Sequence, residues 1–525
     1  MAFIGKNVIE NLTTAMYENL LIVYREYIQN AADSIDTAIK QGIIEQSKAV
    51  IDVDIDEIAR SVTIEDNGVG IRVNDFKKIM SSIADSTKDS TENKGFRGIG
   101  RLGGISTCKE LRFSCSHLGE NVQSIVVWNA EMVREILNDD TQNPEASELV
   151  DKVTTYSTMP CEESKHFFKV EMIGIEQSAS ELLDEKLIKS YLRSVAPLPY
   201  TNTFIFSTKI YDFAAENGFK VDEYNVFVNG DRLFKEYVTR LYEEKNGSKH
   251  TYDELLDIKL EIFYDDDEKP LAWMWYGISR FEKQIPSNNK MRGIRLRKGN
   301  IQIGNEQTLL EHEFYKEPRG YLYFVGEVFA VHPELRPNAR RDYFNINDCC
   351  REFEHKIRDL FYERFYSIYH RANEYKKAYQ KKQELAEVEH KYDEKMETGF
   401  DTQEDKESLE DEIEKLKESV AKAEKKIETR DTKATSDDVL SRVYESIRET
   451  YKVPENETKT DEQSKPKKTE QNPYKKKVKY KSQNLTQYSK KEQKLIGEIY
   501  GIIKAILPHD MAETVVNKIQ EELSK

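Results

Sequence analysis

Glu26, Asn30 and Asp33 fall four and three residues apart in Glu-Tyr-Ile-Gln-Asn-Ala-Ala-Asp. On a helix all three share one face. An amide and a carboxylate one turn apart can hold a divalent metal and position a water. Mg2+ bound mainly through phosphates wants such oxygen ligands. A second group, Glu65-Asp66-Asn67-Gly68-Val69-Gly70-Ile71, follows a strand-like stretch. There Asp66 can accept a hydrogen bond from an exocyclic amine, and the glycines let backbone approach a ligand or take positive φ. An ordinary turn uses the same residues. The third group is Gly95-Phe-Arg-Gly98-Ile99-Gly100-Arg-Leu-Gly103-Gly104. Glycines at this density free backbone N–H groups to cradle phosphate oxygens, helped by a following helix N-terminus. Its GxGxxG spacing does not make a dinucleotide fold, because the loop follows a polar stretch and no βαβ unit opens the chain. No GKS or GKT is present for a Walker loop.

The elements that must position these groups are legible in outline. Residues 11–39 read as a long helix with apolar Leu20, Val23, Tyr27, Ala31 and Ile35 at helical spacing. Strand-like stretches occupy 49–55, 61–65, 110–116, 122–128 and 166–173. Antiparallel strands with helices on one side predict an α+β sandwich over residues 1–177. A second α/β domain is expected over 178–348. It opens with a helix over 186–195, then the Asn-Gly hairpin signal of 226–233, then strands at 257–263, 293–303 and 322–331.

Beyond it, 351–395 reads as one helix. After a break at Gly399, Leu409, Ile413, Leu416, Val420, Ala423 and Ile427 alternate spacings of four and three. That is a heptad seam, either half of an antiparallel hairpin or a dimer coiled coil; the preceding helix favours the hairpin. The helical region spans 349–452. Residues 453–487 read as a lysine-rich disordered linker. Residues 488–525 form a detached pair of helices around Pro508, of the kind that oligomerises or docks.

At 525 residues the chain exceeds one core. No run of about 18 apolar residues suggests a membrane helix, and the N-terminus lacks an apolar core and cleavage site for secretion. A net charge of −16 argues against a surface coated for nucleic acid. The cluster Lys465–Lys481 with Tyr474 and Tyr480 is a local exception, read as a solvated linker before a nucleic-acid contact. Five cysteines without CxxC spacing, Cys349 and Cys350 adjacent, fit reduced thiols in a cytoplasmic protein better than disulfides or zinc. The nine histidines show no ligand spacing.

The order of the three groups (helical ExxxN, strand-DNGVGI, a polar segment, a GxxGxG loop) resembles the N, G1 and G2 boxes of the GHKL superfamily. That superfamily includes gyrase, the heat-shock-ninety chaperones, MutL, the MORC proteins and the histidine kinases. The resemblance covers roughly residues 10–175. It implies a Bergerat-type fold, ATP as ligand and Mg2+ as cofactor. It implies Glu26 as general base, Asn30 as metal ligand and Asp66 as acceptor of the adenine amino proton. Gly70 would let the base approach the backbone, with Asp33, Gly68 and Ile71 around it. Gly95, Gly98, Ile99 and Gly100 would hold the phosphates, with residues 82–94 as lid. Lys88 in that lid either reaches phosphate or is solvated. The Gly-Thr pair that these families often carry before the last strand is missing from Lys165-His-Phe-Phe-Lys-Val-Glu.

Further on, Leu335-Arg-Pro-Asn338-Ala-Arg340-Arg341-Asp342 resembles the LxxNxSRE catalytic loop of the heat-shock-ninety chaperones. Matched by position, Arg341 takes the place of the arginine that stabilises phosphate charge, although Arg340 stands where the family has serine. Arg295, Arg297 and Lys298 form a second basic cluster. The resemblance therefore predicts an ATPase: a dimeric clamp resembling the heat-shock-ninety and MORC branches, acting on a protein client, a complex, or in prokaryotic defence or DNA management. A nucleotide-gated scaffold with little hydrolysis is the alternative. A phosphotransfer kinase is disfavoured, because no histidine lies in a dimerising helix upstream.

Overall fold

The computed structural model describes residue 6 and residues 19–82, 100–311, 314, 318–431, 438–451 and 478–525. The chain divides into two compact units, Met1–Ser367 and Ile368–Lys525. Among the described residues no helix is long and apolar enough to cross a membrane.

Among the described residues the first helix of the first unit is α1 (Ile22–Lys40); residues 19–21 are bend and turn, so it starts later than expected, and residues 11–18 lie outside the described set. Six strands follow: β1 (Val50–Asp56), β2 (Ser61–Asp66), β3 (Glu110–Ser116), β4 (Val122–Asn129), β5 (Thr154–Pro160) and β6 (Phe167–Ile173). Helix α2 (Glu185–Val195) leads to β7 (Asn225–Val228) and β8 (Asp231–Arg232). All eight strands form one sheet in the order β5-β4-β3-β6-β2-β1-β7-β8. Only β1–β7 pairs in parallel. The Asn-Gly hairpin expected in a second domain therefore extends the first sheet. Asn229 and Gly230 both take positive φ, as a two-residue hairpin turn demands. The Asn229 side chain also accepts the Ile55 amide at 2.7 Å, which docks the turn on β1.

Strand period sets which side chains go inward. Ile51 and Val53 of β1, with Val62 and Ile64 of β2, are buried in one core with Val23, Tyr27, Ala31 and Ile35 of α1. Asp66 continues the inward register of Val62 and Ile64, so the carboxylate lies on the helix-covered face at the strand end. Helix and acid are thus brought together by two periodicities, 3.6 and 2.

The rest of this unit is a second sheet: β9 (Arg240–Lys245), β10 (Ser248–Tyr264), β11 (Pro270–Ser279), β12 (Gly293–Lys298), β13 (Ile301–Ile303) and β14 (Val325–Ala330), ordered β13-β12-β14-β11-β10-β9. Almost every residue of β11 and β14 is buried. Strands covered on both faces read as continuous apolar runs, without the alternation that marks a half-exposed strand.

At the centre of this sheet sits a buried charge cluster. Glu327 of β14 accepts from Lys235 Nζ and Trp275 Nε1, each at 3.1 Å, and from Arg297 Nε and the Tyr200 hydroxyl. Glu327, Lys235 and Arg297 are all fully buried. Burial alone would raise the Glu327 pKa, but Arg297, Lys235 and the hydrogen bonds outweigh it and hold it at about 2. Burial, then Arg297, pull Lys235 down to about 7. Arg297 also donates to the Ser194 carbonyl near the end of α2, 3.0 Å away, linking the two sheets' territories.

Helix α3 (Asp348–Asp359) is capped by the Asn347 side chain accepting the Cys350 amide at 2.7 Å. The helix expected over 351–395 is α3, a wider turn over Leu360–Phe365, and α4 (Tyr366–Thr398).

In the second unit α4 is followed by α5 (Gln403–Asp431). Contacts between them run in opposite senses: Lys381 to Ser419, Tyr392 to Glu410, Lys395 to Asp405. The two are an antiparallel hairpin. Gly399 at its turn has φ +107°, and a Cβ there would stand 2.9 Å from the Lys481 amide nitrogen. Helices α6 (Lys490–Ile506) and α7 (His509–Ser524) close the chain. They are not detached. Phe400 exchanges backbone hydrogen bonds with Lys479 and Lys481 at 2.9 and 2.8 Å. The buried Asp401 carboxylate meets Lys481 Nζ at 2.9 Å and also Lys504 Nζ. The intervening residues 452–477, with most of the lysine cluster, lie outside the described set.

Removing the shared anion of the buried cluster leaves Arg297 uncompensated. Glu327→Ala is expected to destabilise the first unit by about 3–5 kcal/mol, read as a lower urea midpoint by tryptophan fluorescence. An unchanged midpoint would show that the cluster contributes nothing to folding.

Candidate nucleotide site

The site is assembled on α1. Glu26 is buried, 6% exposed, and lies against Gly100: a Cβ on that glycine would collide with the Glu26 carboxylate. On its other side Arg341 Nε stands 3.0 Å from Glu26 Oε1, with Arg25 Nη2 at 3.6 Å. Oε1 accepts no hydrogen bond among the described residues despite these ion pairs. Asn30, one turn on, is half-buried, and Asp33 is buried.

Tyr27, adjacent to Glu26, holds the end of the glycine loop. Its hydroxyl donates to the Arg101 carbonyl and accepts the Gly104 amide, both at 3.1 Å. Gly104 is small by necessity, because a Cβ would stand 2.7 Å from that hydroxyl. The sequence assigned Tyr27 to the core stripe; its burial fits that, while its hydroxyl does a second job that apolar periodicity cannot signal. Residues Gly100–Ser106 form a short 3-10 helix where a helix N-terminus was expected. Arg101 donates to the Ser82 carbonyl, joining the two described ends that flank residues 83–99. Burial lowers the Arg101 pKa to about 10, with Tyr156 opposing, so it keeps its charge at neutral pH.

The Asp-Asn-Gly loop is clamped between α1 and the sheet. Asp66 Oδ1 accepts the Gly68 amide at 2.9 Å. Val69 N donates to the Ser34 carbonyl at 3.2 Å, and a Cβ on Gly68 would collide with Ser34. Gly70 has φ +65°, and a Cβ there would run into the Ser116 carbonyl. The Ile71 carbonyl faces Cys115 Sγ at 3.6 Å. His166, set aside in the sequence, has Nδ1 2.8 Å from the Gly68 carbonyl.

Arg341 arrives on a tight loop. Pro337 bridges Phe344, Asn338 N donates to the Tyr343 carbonyl at 2.8 Å, and Arg341 N to the Asn338 carbonyl at 3.2 Å. Arg341 has φ +56°, a left-handed backbone that costs a non-glycine residue about 1–2 kcal/mol. This turn sends Arg341 inward and leaves Arg340 exposed, its carbonyl taken by Arg25 Nη2 at 3.3 Å. Gly304 N donates to the Arg341 carbonyl at 2.8 Å, tying the loop to the end of β13. Arg295 and Arg297 are buried in the second sheet and hold structural partners. Glu26, Asn30, Asp33, Asp66, Gly68, Gly70, Ile71, Gly100 and Arg341 are thus all in place to be described; Lys88, Gly95, Gly98 and Ile99 lie outside the described residues.

The half-buried Asn30 amide one turn from the buried Glu26 carboxylate offers oxygen ligands of the kind Mg2+ takes, and the glycine backbone against Glu26 is of the kind that offers N–H groups to phosphate oxygens. Residues 17–159 match the family model of the histidine kinase-, DNA gyrase B- and HSP90-like ATPases, and this segment belongs to that class. Among curated relatives, chaperone protein HtpG of Helicobacter hepaticus is 33% identical over 78 residues, 14% of this chain and 13% of that protein. Chaperone protein HtpG of Streptomyces coelicolor is 24% identical over 136 residues, 22% of this chain and 21% of that one. The chain thus spans about a fifth or less of the length of these relatives.

Tyr27→Phe removes both hydroxyl hydrogen bonds and leaves the Gly104 amide buried and unpaired. The expected cost is about 1–3 kcal/mol, seen as faster hydrogen exchange at Gly104 with the far-ultraviolet spectrum unchanged. Unaltered exchange would mean that the loop is held elsewhere.

Proposed function

We propose that this chain binds ATP with Mg2+ and hydrolyses it, driving a dimeric, chaperone-like clamp. The observation that carries the reading is Glu26, lodged between Gly100 and the guanidinium of Arg341. Asp66 accepts the adenine amino proton, selecting ATP over GTP, and Gly68, Gly70 and Ile71 let the base lie against backbone. Gly95, Gly98, Ile99 and Gly100 hold the phosphates, with Lys88 reaching them from the lid. Asn30, with Asp33 nearby, is the side chain to hold Mg2+, which supplies charge neutralisation at the phosphates.

In the chemical step a water oxygen bonds to the γ-phosphorus while the bond to the β–γ bridging oxygen breaks. ADP leaves with that electron pair, and Glu26 takes the proton of the water. Arg341, one side chain from Gly100, exchanges its carboxylate partner for the charge that develops on the transferring group. Only contacts that differ between states can shift a conformational equilibrium, and the γ-phosphate provides one. Because Arg341 comes from the loop that follows β14, that contact couples nucleotide to the second sheet.

Dimerisation through the last two helices is supported by an apolar stripe. Leu495, Ile499, Ile502 and Ile506 of α6 are 58%, 42%, 58% and 73% exposed, at spacings of four and three. A second copy covers that stripe; the work is done in the cytoplasm on a protein client. The scaffold reading predicts binding without turnover.

The direct test is steady-state ATP hydrolysis with binding of a fluorescent ATP analogue. Glu26→Ala is expected to bind but lose roughly 100- to 10,000-fold in kcat, and Arg341→Ala roughly 100- to 1,000-fold. Wild type that binds without turnover favours the scaffold; wild type that does not bind nucleotide refutes the proposal. For the dimer, Ile499→Lys with Ile502→Lys is expected to give monomers by sedimentation velocity, and a wild type that is itself monomeric overturns it.

A further inference from the structure

His332, Glu334 and Cys349 offer a ring nitrogen, a carboxylate oxygen and a thiol sulfur that all lie within 4.8 Å of one another. Cys349 Sγ and His332 Nδ1 stand 3.1 Å apart. His332 turns its other nitrogen to Asp265, with Nε2 3.7 Å from Oδ2. A ligating histidine whose far N–H faces a carboxylate is the usual second layer of a metal centre. A sulfur, an imidazole and a carboxylate with a fourth position open to water suit tetrahedral Zn2+. Lys298 Nζ is engaged by the His332 carbonyl at 2.7 Å.

The position matters as much as the chemistry. His332 lies just past β14, and Cys349 lies in the first turn of α3. Between them runs the loop that carries Arg341. Glu334 belongs to the base of that loop, where the Asn347 side chain donates to its carbonyl at 3.0 Å. We propose that His332, Glu334 and Cys349 bind one Zn2+ that fastens the two ends of the Arg341 segment together. The metal would stiffen the segment without touching nucleotide, and the site is independent of whether the chain hydrolyses ATP.

The test uses the full-length protein, freed of metal with a chelator, in buffer without Mg2+ or nucleotide. Co2+ is expected to bind at one equivalent with a thiolate-to-cobalt charge-transfer band, and Zn2+ to displace it. Cys349→Ser abolishes the band, while Cys350→Ser, the neighbouring thiol, retains it. Asp265→Asn weakens Zn2+ binding about 10- to 100-fold by loosening the histidine. Glu334 is exposed, so Glu334→Gln tests a ligand without disturbing packing. It should weaken Zn2+ and abolish the zinc-dependent slowing of hydrogen exchange over residues 335–344 that is expected of wild type. A band that survives Cys349→Ser, Zn2+ binding unaffected by Glu334→Gln, or no stoichiometric binding by wild type would each overturn the site.

Discussion

A carboxylate buried at Glu26 cannot be left alone. Taking a charge out of water is costly unless a partner and polar backbone receive it. Here the partner, Arg341, comes from far along the chain, and Gly100 packs directly against the carboxylate. Each of these contacts dictates something else. Position 100 must lack a side chain, and residue 341 must sit in a left-handed turn to aim its guanidinium inward. The loop around it must then be fixed by Gly304 and by the Pro337–Phe344 bridge. Strain of this kind persists where surrounding structure over-determines it, as it does at functional sites.

That requirement passes into the second sheet. An arginine can meet a buried acid to within ångströms only if the body that carries it is stiff. The Glu327 cluster gives the sheet a single polar arrangement at its centre. Strands β11, β12 and β14 each contribute a side chain to it, and Arg297 reaches across to Ser194. A half-satisfied version of this cluster would be worse than an apolar core, so its members act together or not at all. The charge buried in the second sheet and the charge buried beside the first obey the same rule.

What could be read from the sequence was what local pattern encodes. The Glu26, Asn30 and Asp33 face, the inward Asp66 and the glycines of the DNG loop follow from helix and strand periods. The Leu335–Asp342 match put Arg341 forward, and the turn geometry then separates it from Arg340. Other features were not legible because they arise from tertiary pairing. Tyr27 looked like a core residue, and nothing local announces that its hydroxyl bridges two backbone groups. The Asn229–Gly230 hairpin declared itself a hairpin but not which sheet it would join; that depends on parallel pairing with β1, about 170 residues away. Strand β11 has no alternation because both its faces are covered. His332 and Cys349 carry no ligand spacing because strand end and helix start meet only in the folded chain.

The same logic accounts for the second unit. Its helices are rich in charge and poor in large apolar side chains, so packing alone specifies their register weakly. Specificity comes from a few pairs that cannot slide. Asp401, nearly fully buried, takes two lysines, Lys481 and Lys504 of α6, beside Gly399, where the returning chain passes close. Shifting the hairpin by one turn would bury that carboxylate without either lysine. Leu495, Ile499, Ile502 and Ile506 of α6 meanwhile stay exposed. In both units one buried carboxylate, Glu26 in the first and Asp401 in the second, takes a cationic partner from a distant part of the chain.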